Sequence, residues 1–575
     1  MYNPTDFVPK DLKINNWEDI KVYFDKLGSY PLNSVSDLEQ LLIYYSEVLS
    51  LYSEQNARAY INMTCQTNNQ EYVKIHENFI TNITPNIDIF GNKIKEKIAK
   101  SEYFSKLPEP RYSSLKKSFN QDLKLFRAEN VPLYTELSNL SAKYGQLAGN
   151  IAVTIDGKSL TIPQASVNLE SPNRENRQKS WNAISEARYS TTNEHDEIFD
   201  QMLIARQKIA KNAGFDNFRD YQHQSLHRFD YTVDDVVQFH QSIQEHTLPL
   251  RKKITQKHID KLGLNANDYR PWDTSGKSKS ETRLEPFKTS KELLDKTFDI
   301  FSKIKTDFGN NLKTMNQSKL FDLESRPGKA PGGYNYGLEV TGMPFIFMNA
   351  AGTHRDVITL MHEGGHAMHT FLTNSEPLIQ YRQCPSEVAE TASMSMELIS
   401  SDHWNIFYQP KDFIRAKIEH LKGIIDVFSW VAVVDCFQHW VYTNPGHSPQ
   451  ERNQSFDDIF DRFSNNLVNW DGLENFRKTY WQKQLHIFEV PFYYIEYAIA
   501  QLGALQIYRN YTKDKDKAIK DYITGLSLGS SQGISEVWSA MNIKFDFSSE
   551  NLNELMTFAN EQIEHLEQEL SNLTN

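Results

Sequence analysis

The sequence predicts a mainly α, multi-lobed protein with a small β-sheet in its second half. Apolar residues recur at helical spacing over most of the 575 residues. Prolines cut these runs into helices of ordinary length, and only two short regions show the patterns of β-strands. Charged residues make up 24% and aromatic residues 12% of the chain, a composition that excludes a disordered protein. The chain is therefore long enough, and apolar enough, to bury a large core.

The first 190 residues are predicted to form an N-terminal helical lobe. Residues 36–39, Ser-Asp-Leu-Glu, have the form of a capping box and begin a helical run toward Cys65. Prolines at positions 85, 108, 110 and 132 divide the following stretch into separate helices. Residues 151–162 contain two β-branched runs around Asp156-Gly157, which predicts a short β-hairpin.

Residues 191–575 are predicted to form a second, larger helical domain. Helical spacing continues to residue 262, a polar loop follows to residue 291, and a further helix is expected to end near Asn311. Tyr334 to Val340 and Phe345 to Met348 have strand-like composition. A small sheet thus directly precedes the stretch richest in histidine.

That stretch, residues 361–369, contains two histidines four residues apart. On a helix His362 and His366 share one face, as two imidazole ligands of a tetrahedral zinc ion require, and Glu363 can reach a metal-bound water. From 17 histidines and 74 acidic residues, about 0.06 such His-acid-x-x-His matches are expected by chance. The adjacent Gly364 and Gly365 each cost a helix about 1 kcal/mol, which indicates close approach of another backbone or a substrate.

A catalytic zinc usually takes a third protein ligand and leaves its fourth position to water. The helix predicted over 386–400 offers three carboxylates, Glu387, Glu390 and Glu397. Glu390 and Glu397 lie two turns apart on one face, but spacing alone does not choose among the three. Each of them is also compatible with an ordinary solvated surface glutamate.

Composition also bears on partners and location. A net charge of −12, without a dense basic cluster, argues against nucleic-acid binding. Three widely spaced cysteines indicate a reducing compartment, and the N-terminus lacks the apolar run of a secretory signal. The most apolar window, residues 423–440, contains two aspartates and indicates a buried helix rather than a membrane span. We therefore expect a soluble cytoplasmic protein without a membrane partner.

At these motifs the sequence resembles the thimet oligopeptidase and oligoendopeptidase F family of zinc metallopeptidases, the oligoendopeptidase F branch more closely. The family signature Asp-x-x-Thr-x-x-His-Glu-x-Gly-His-x-x-His is matched by Asp356, Thr359, His362, Glu363, Gly365, His366 and His369. A second signature on the following helix is matched by Glu390, Ser393 and Glu397. The resemblance implies that Glu390 is the third zinc ligand.

The family also brings a histidine and a tyrosine pair to the zinc from a C-terminal segment. His486, Tyr494 and Tyr497 match that arrangement, with Tyr493 as the alternative tyrosine because the spacing from the histidine is one residue short. By residue type alone, this segment has the composition of an aromatic core helix.

The resemblance implies one zinc ion and an oligoendopeptidase that cleaves internal bonds of short unstructured peptides, in a deep channel walled by the N-terminal lobe. Glu363 would act as general base on the zinc-bound water, and the tyrosines and His486 would stabilise the oxyanion. His369 and Glu397 would orient ligands or line the pocket. We also expect an edge strand at residues 345–349, whose Phe345 and Phe347 would lie at the substrate backbone. A related zinc exopeptidase, a non-catalytic peptide-binding protein, and cobalt or manganese in place of zinc remain alternatives.

Overall fold

The computed structural model of the protein describes residues 5–574, and these residues are mostly helical. Sheet is confined there to a two-stranded hairpin and a three-stranded sheet. The prediction of a mainly α fold with a small sheet is therefore confirmed.

The N-terminal helices have a hydrophobic core of their own. They are α1 (Trp17–Ser29), α2 (Val35–Cys65), α3 (Gln70–Asn78), α4 (Thr84–Lys100), α5 (Ser113–Leu125) and α6 (Val131–Gly149). Apolar side chains between residues 8 and 119 pack together and receive Leu378 and Tyr381 from the second half of the chain. The side chains of α6, by contrast, join the large core of the later helices. The domain boundary at residue 190 stays a prediction.

Prolines begin two of these helices, as the sequence predicts, because Pro85 and Pro132 occupy first-turn positions that need no backbone donor. The predicted cap of α2 is displaced, however. Ser34, not Ser36, is the N-cap residue, and its side chain accepts the N–H of Asp37. Ser36 lies inside the helix, which begins at Val35, and the Asp37 carboxylate accepts the N–H of Asn33.

The predicted hairpin forms from β1 (Ala152–Ile155) and β2 (Lys158–Thr161). Asp156 and Gly157 both have positive φ, as a two-residue turn of this type requires. Seven helices follow, and two of them, α12 and α13, replace the single helix predicted to end near Asn311. They are α7 (Ile162–Ser166), α8 (Arg174–Tyr189), α9 (Thr192–Asn212), α10 (Phe218–Ser225), α11 (Val233–Leu262), α12 (Ser290–Ile304) and α13 (Thr306–Gln317).

The three-stranded sheet has the order β3-β5-β4, with strands β3 (Phe321–Glu324), β4 (Tyr334–Leu338) and β5 (Met343–Ala350). β5 pairs in parallel with β3 and antiparallel with β4, so it is the central strand. The prediction of an edge strand at residues 345–349 is wrong, because the four-residue β3 pairs with the second side of β5. Phe345 and Phe347 are buried, and Phe347 stacks on Tyr334 with ring centroids 4.6 Å apart. Neither ring is placed to line a substrate strand.

Strand β3 also anchors the loop that precedes β4. Asp322 accepts hydrogen bonds from Arg326 at 2.6 Å and from the fully buried ammonium of Lys329 at 2.9 Å. Burial raises the pKa of the Asp322 carboxyl, but these two cations outweigh it and lower the pKa to about 2. The carboxylate is therefore ionised and joins the strand to the loop.

The remaining helices surround the sheet and enclose the large core. They are α14 (His354–Thr373), α15 (Ile379–Arg382), α16 (Ser386–Ser400), α17 (Pro410–Thr443), α18 (Pro449–Arg462), α19 (Glu474–Lys478), α20 (Leu485–Glu489), α21 (Ile495–Tyr511), α22 (Lys515–Leu526), α23 (Ile534–Ala540) and α24 (Ser549–Thr574). By length and composition α17 is the one helix among residues 5–574 that could cross a membrane, with mean hydropathy 1.3. Its most apolar window is 67% buried inside the protein, as in a core helix.

Candidate metal centre and active site

Helix α14 starts with a capping box that holds its first turn. The Asp356 carboxylate accepts the N–H of Thr353 at 2.7 Å, and the Thr353 hydroxyl accepts the N–H of Asp356 at 3.4 Å. The N–H of Ala351, at the end of β5, also donates to Asp356, at 2.9 Å. Asp356 thus joins the sheet to the helix that carries His362 and His366.

Two imidazoles and one carboxylate converge between α14 and α16. Nε2 of His362 and Nε2 of His366 lie 3.2 Å and 3.6 Å from Oε2 of Glu390. The three ligand atoms all lie within 4.8 Å of one another. Two imidazole nitrogens and a carboxylate oxygen are a donor set that zinc takes in catalytic sites, so the residues present fit a zinc ion.

The two glycines of the histidine motif permit close helix packing on two sides. A Cβ at Gly365 would lie 2.6 Å from Cα of Ser393 and 2.8 Å from the carbonyl oxygen of Ala392, both on α16. A Cβ at Gly364 would overlap the ring of Phe301, on α12. The backbone of α16, rather than a substrate, therefore accounts for Gly365.

Further side chains hold the three ligands in position. Nδ1 of His362 lies 2.7 Å from Oε1 of Glu397, so the imidazole presents Nε2 to Glu390. Glu390 accepts a hydrogen bond from Ser393 at 3.0 Å on Oε2 and one from the Tyr493 hydroxyl at 2.6 Å on Oε1. Although burial raises the pKa of Glu390, the two histidines and Tyr493 lower it to about 2. Glu390 is therefore an ionised, oriented carboxylate.

Sequence analysis did not identify His420, which contacts Glu397. Nε2 of His420 lies 3.7 Å from Oε2 of Glu397, whereas His362 contacts Oε1. His420 is buried on α17 and has no motif around it, so only the three-dimensional structure reveals its contact with Glu397.

Glu363 is buried beside the ligands, with 5% of the residue exposed. Its Oε2 accepts no hydrogen bond from any residue in the range 5–574. Burial raises the pKa of Glu363, His362 opposes the rise, and the charges of Glu390 and Glu397 add to it, giving about 8. A buried carboxyl oxygen without a partner is available to a water or a substrate.

Side chains from the C-terminal segment, residues 484–497, lie beside the candidate metal ligands. Nε2 of His486 lies 3.0 Å from the Tyr497 hydroxyl, and its Nδ1 lies 2.8 Å from the side-chain amide of Gln484. Burial lowers the pKa of His486 to about 4, against the opposing charge of Glu390, so the imidazole is neutral. Tyr493 binds Glu390, whereas the Tyr494 ring packs edge-on to His486 with centroids 4.9 Å apart.

His369 lies apart from the ligand cluster, although it belongs to the signature. Its Nδ1 is 3.5 Å from the sulfur of Cys384, in the loop before α16. Burial lowers its pKa to about 4. His369 therefore packs between α14 and the start of the next ligand-bearing helix.

A cavity of about 320 Å³ lies between the N-terminal helices and the segment that follows His486. Its walls come from α2, α3, α4 and α6 on one side, and from Leu485, Glu489 and Val490 on the other. Ala330, Pro331 and Tyr334, the last on the edge strand β4, also line it. The N-terminal lobe thus encloses space next to the candidate site.

Comparison with known proteins identifies the family. The model of peptidase family M3 matches residues 167–557, and that of the peptidase M3 N-terminal domain matches residues 7–126. The chain belongs to peptidase family M3. Among curated relatives of this M3 chain, an oligoendopeptidase F homolog of Mycoplasma genitalium is 25% identical over 52% of this chain and 50% of its own length. Oligopeptidase PepF of Bacillus subtilis is 24% identical over 39% of this chain and 34% of its own length. These alignments thus span half or less of each relative's length.

Solved structures share the fold of this M3 chain along nearly its whole length. A structure described as PZ peptidase A with inhibitor 2 has a TM-score of 0.92 at 24% identity, and covers 97% of this chain and 99% of its own. A putative oligoendopeptidase F from Bacillus anthracis has a TM-score of 0.87 at 23% identity, covering 96% and 97%. At this level of identity, the likeness establishes the fold.

Proposed function

We propose that this chain is a zinc-dependent oligoendopeptidase that hydrolyses internal peptide bonds of short unstructured peptides. The observation that carries the proposal is the convergence of His362, His366 and Glu390 beside the buried, unpartnered carboxyl of Glu363. A structural metal site needs no base next to its ligands. Membership of family M3 and the oligoendopeptidase names of several relatives support the same conclusion.

His362, His366 and Glu390 would hold the zinc ion. When bound there, zinc supplies Lewis-acid chemistry, which polarises a carbonyl and makes a water more acidic. Glu363 takes a proton from the attacking water on its free Oε2 and then delivers it to the departing amine nitrogen. Burial raises the pKa of its carboxyl, which makes the carboxylate a stronger proton acceptor than an exposed glutamate.

The oxyanion that develops at the scissile carbon needs hydrogen-bond donors. The Tyr497 hydroxyl and the neutral imidazole of His486 face one another at 3.0 Å, and a substrate oxygen can take the place of that mutual hydrogen bond. Tyr493 donates to Glu390 instead, so we assign it to holding the ligand. Tyr494 supports the His486 ring through its edge-on contact.

The proposed restriction to short, unfolded peptides follows from the N-terminal helices that enclose a cavity near the site. The cavity lined by Leu485 and Glu489 has N-terminal helices on one wall, and we propose that it admits an extended peptide but not a folded domain. We also propose a cytoplasmic location, since Cys65, Cys384 and Cys436 are all unpaired, as a reducing compartment favours. Fractionation of cells expressing the tagged protein, against a periplasmic or secreted marker, tests the location.

The decisive experiment compares Glu363→Gln and His366→Ala with wild type, measuring bound zinc and cleavage of end-blocked fluorogenic peptides. Wild type should cleave blocked peptides internally, Glu363→Gln should keep zinc but lose cleavage, and His366→Ala should lose both. Undiminished cleavage by Glu363→Gln would refute the mechanism. Trimming of free C-termini with blocked peptides left intact would instead identify an exopeptidase.

A further inference from the structure

A second group of metal-binding side chains lies between α11 and α17. His240 comes from α11, and Asp435 and His439 stand one turn apart on α17. Nε2 of His240 lies 2.8 Å from Oδ2 of Asp435, and Nε2 of His439 lies 3.2 Å from the same oxygen. The three ligand atoms lie within 4.8 Å of one another. This group shares no residue with the centre on α14 and α16.

The geometry favours a metal over a network of hydrogen bonds alone. Both imidazoles approach one carboxylate oxygen, while Oδ1 of Asp435 is buried and has no hydrogen-bond partner within residues 5–574. Asp435 itself is completely buried. In a pure hydrogen-bond network, a buried carboxylate is more stable with one donor on each oxygen, since an unpaired buried acceptor costs about 1–3 kcal/mol. Convergence on one oxygen is instead the arrangement of a monodentate metal ligand.

The centre on α14 and α16 provides an internal comparison. There, too, two Nε2 atoms approach a single carboxylate oxygen, at 3.2 Å and 3.6 Å from Glu390. The donor types are identical, and the two separations from Asp435, 2.8 Å and 3.2 Å, are each 0.4 Å shorter than these. The same chemistry thus occurs twice in this chain.

We propose that His240, Asp435 and His439 bind a second divalent metal ion of the zinc class. Two imidazoles with one carboxylate suit zinc rather than magnesium or calcium, which take all-oxygen sites. The Cys436 thiol lies beside His240 and helps to orient it. His240 and Asp435 are almost inaccessible, so a bound ion would be enclosed by the two helices, and we expect it to stabilise the fold rather than to meet a substrate.

The site lies beside the segment that carries Tyr493. The His439 ring packs edge-on to Phe492 with centroids 5.5 Å apart, and Gln438 accepts the N–H of Phe492 at 2.8 Å. Phe492 has a φ of 67°, a left-handed conformation that a non-glycine residue adopts only when its surroundings hold it. A metal that clamps α11 to α17 would therefore stabilise the turn that delivers Tyr493.

The test counts metal ions per chain in protein dialysed first against zinc chloride and then against metal-free buffer. Wild type should retain about two ions, and His366→Ala, which empties the other centre, should retain about one. His439→Gln keeps a neutral donor for Asp435, so it should fold and yet retain one ion fewer than wild type. His447→Ala, which alters a histidine bonded to the Asn444 carbonyl, is the matched control and should retain both.

Loss of all metal from His366→Ala, or full retention by His439→Gln, would overturn the proposal. X-ray absorption at the zinc edge of His366→Ala gives a second measurement, and it should report two imidazoles and one oxygen. Because these readouts use no peptide, they are independent of the proposed peptidase function. If His366→Ala retains one ion but cleaves no peptide, the second site is supported whatever the outcome for the peptidase function.

Discussion

Replacing Gly365 with alanine tests how closely the two ligand-bearing helices must pack. The new Cβ would lie 2.6 Å from Cα of Ser393 and 2.8 Å from the carbonyl oxygen of Ala392. Both are backbone atoms, so no side-chain rotation relieves the overlap. Carbon atoms pack at about 3.5 Å or more, and α16 must therefore recede by about 0.9 Å.

That displacement has separate effects on the free energy of unfolding and on zinc affinity. Overpacking destabilises a protein by about 1–3 kcal/mol, and the better helix propensity of alanine offsets up to about 1 kcal/mol of this loss. We expect Gly365→Ala to lower the free energy of unfolding by about 1–2 kcal/mol. Metal ligands tolerate displacements of only about 0.2 Å, so the movement of Glu390 should weaken zinc binding at least about tenfold.

Urea unfolding in excess chelator measures the first effect without a contribution from bound zinc. Equilibrium dialysis against buffered zinc, with metal counted per chain, measures the second. Gly423→Ala is the matched control, because it is an exposed glycine inside α17 with no atom within 4 Å of its added Cβ. It should stabilise the protein by up to about 1 kcal/mol and leave zinc binding unchanged. A Gly365→Ala protein as stable as wild type, with unchanged zinc affinity, would refute the packing argument.

Three further predictions concern hydrogen bonds to carboxylates. Tyr493→Phe removes the hydroxyl 2.6 Å from the ligand carboxylate and should weaken zinc binding about tenfold by equilibrium dialysis, whereas Tyr494→Phe should not change it. Glu397→Gln removes the negative acceptor 2.7 Å from Nδ1 of His362 and should lower zinc affinity about 10–100-fold, so an unchanged affinity would exclude an orienting role. Asp322→Asn should destabilise the protein more at pH 6 than at pH 3 in urea unfolding. The pKa of Asp322 is lowered to about 2, so its stabilisation is complete above the unfolded value of about 3.9 and is lost as the pH falls toward 2. An equal loss at both pH values would contradict the assignment.

Local patterns predicted those parts of the structure that depend on neighbours in the chain. The spacing of His362 and His366 placed both imidazoles on one helix face, and Asp156-Gly157 formed its turn, because short-range geometry decides both. Gly365 also indicated a close approach. Only the structure shows that α16, and not a substrate, makes that approach.

Contacts between distant segments could not be predicted in this way. Spacing left three candidate ligands on α16, and the resemblance to a known family, rather than physical reasoning, pointed to Glu390. The central position of β5 depends on β3, a strand of four residues whose pairing is long-range. His240 and Asp435 are separated by 195 positions, so no local pattern connects them.

Helix α17 connects the two candidate metal centres through one continuous backbone. His420 contacts Glu397 near one end, and Asp435 contacts His240 fifteen positions later. At about 1.5 Å and 100° per residue, that interval fixes both a distance of about 22 Å and a rotational phase. Insertion or deletion of one residue between them would turn one group about 100° away from its partners. The length of this interval, more than the identity of the apolar residues within it, is therefore what the architecture must preserve.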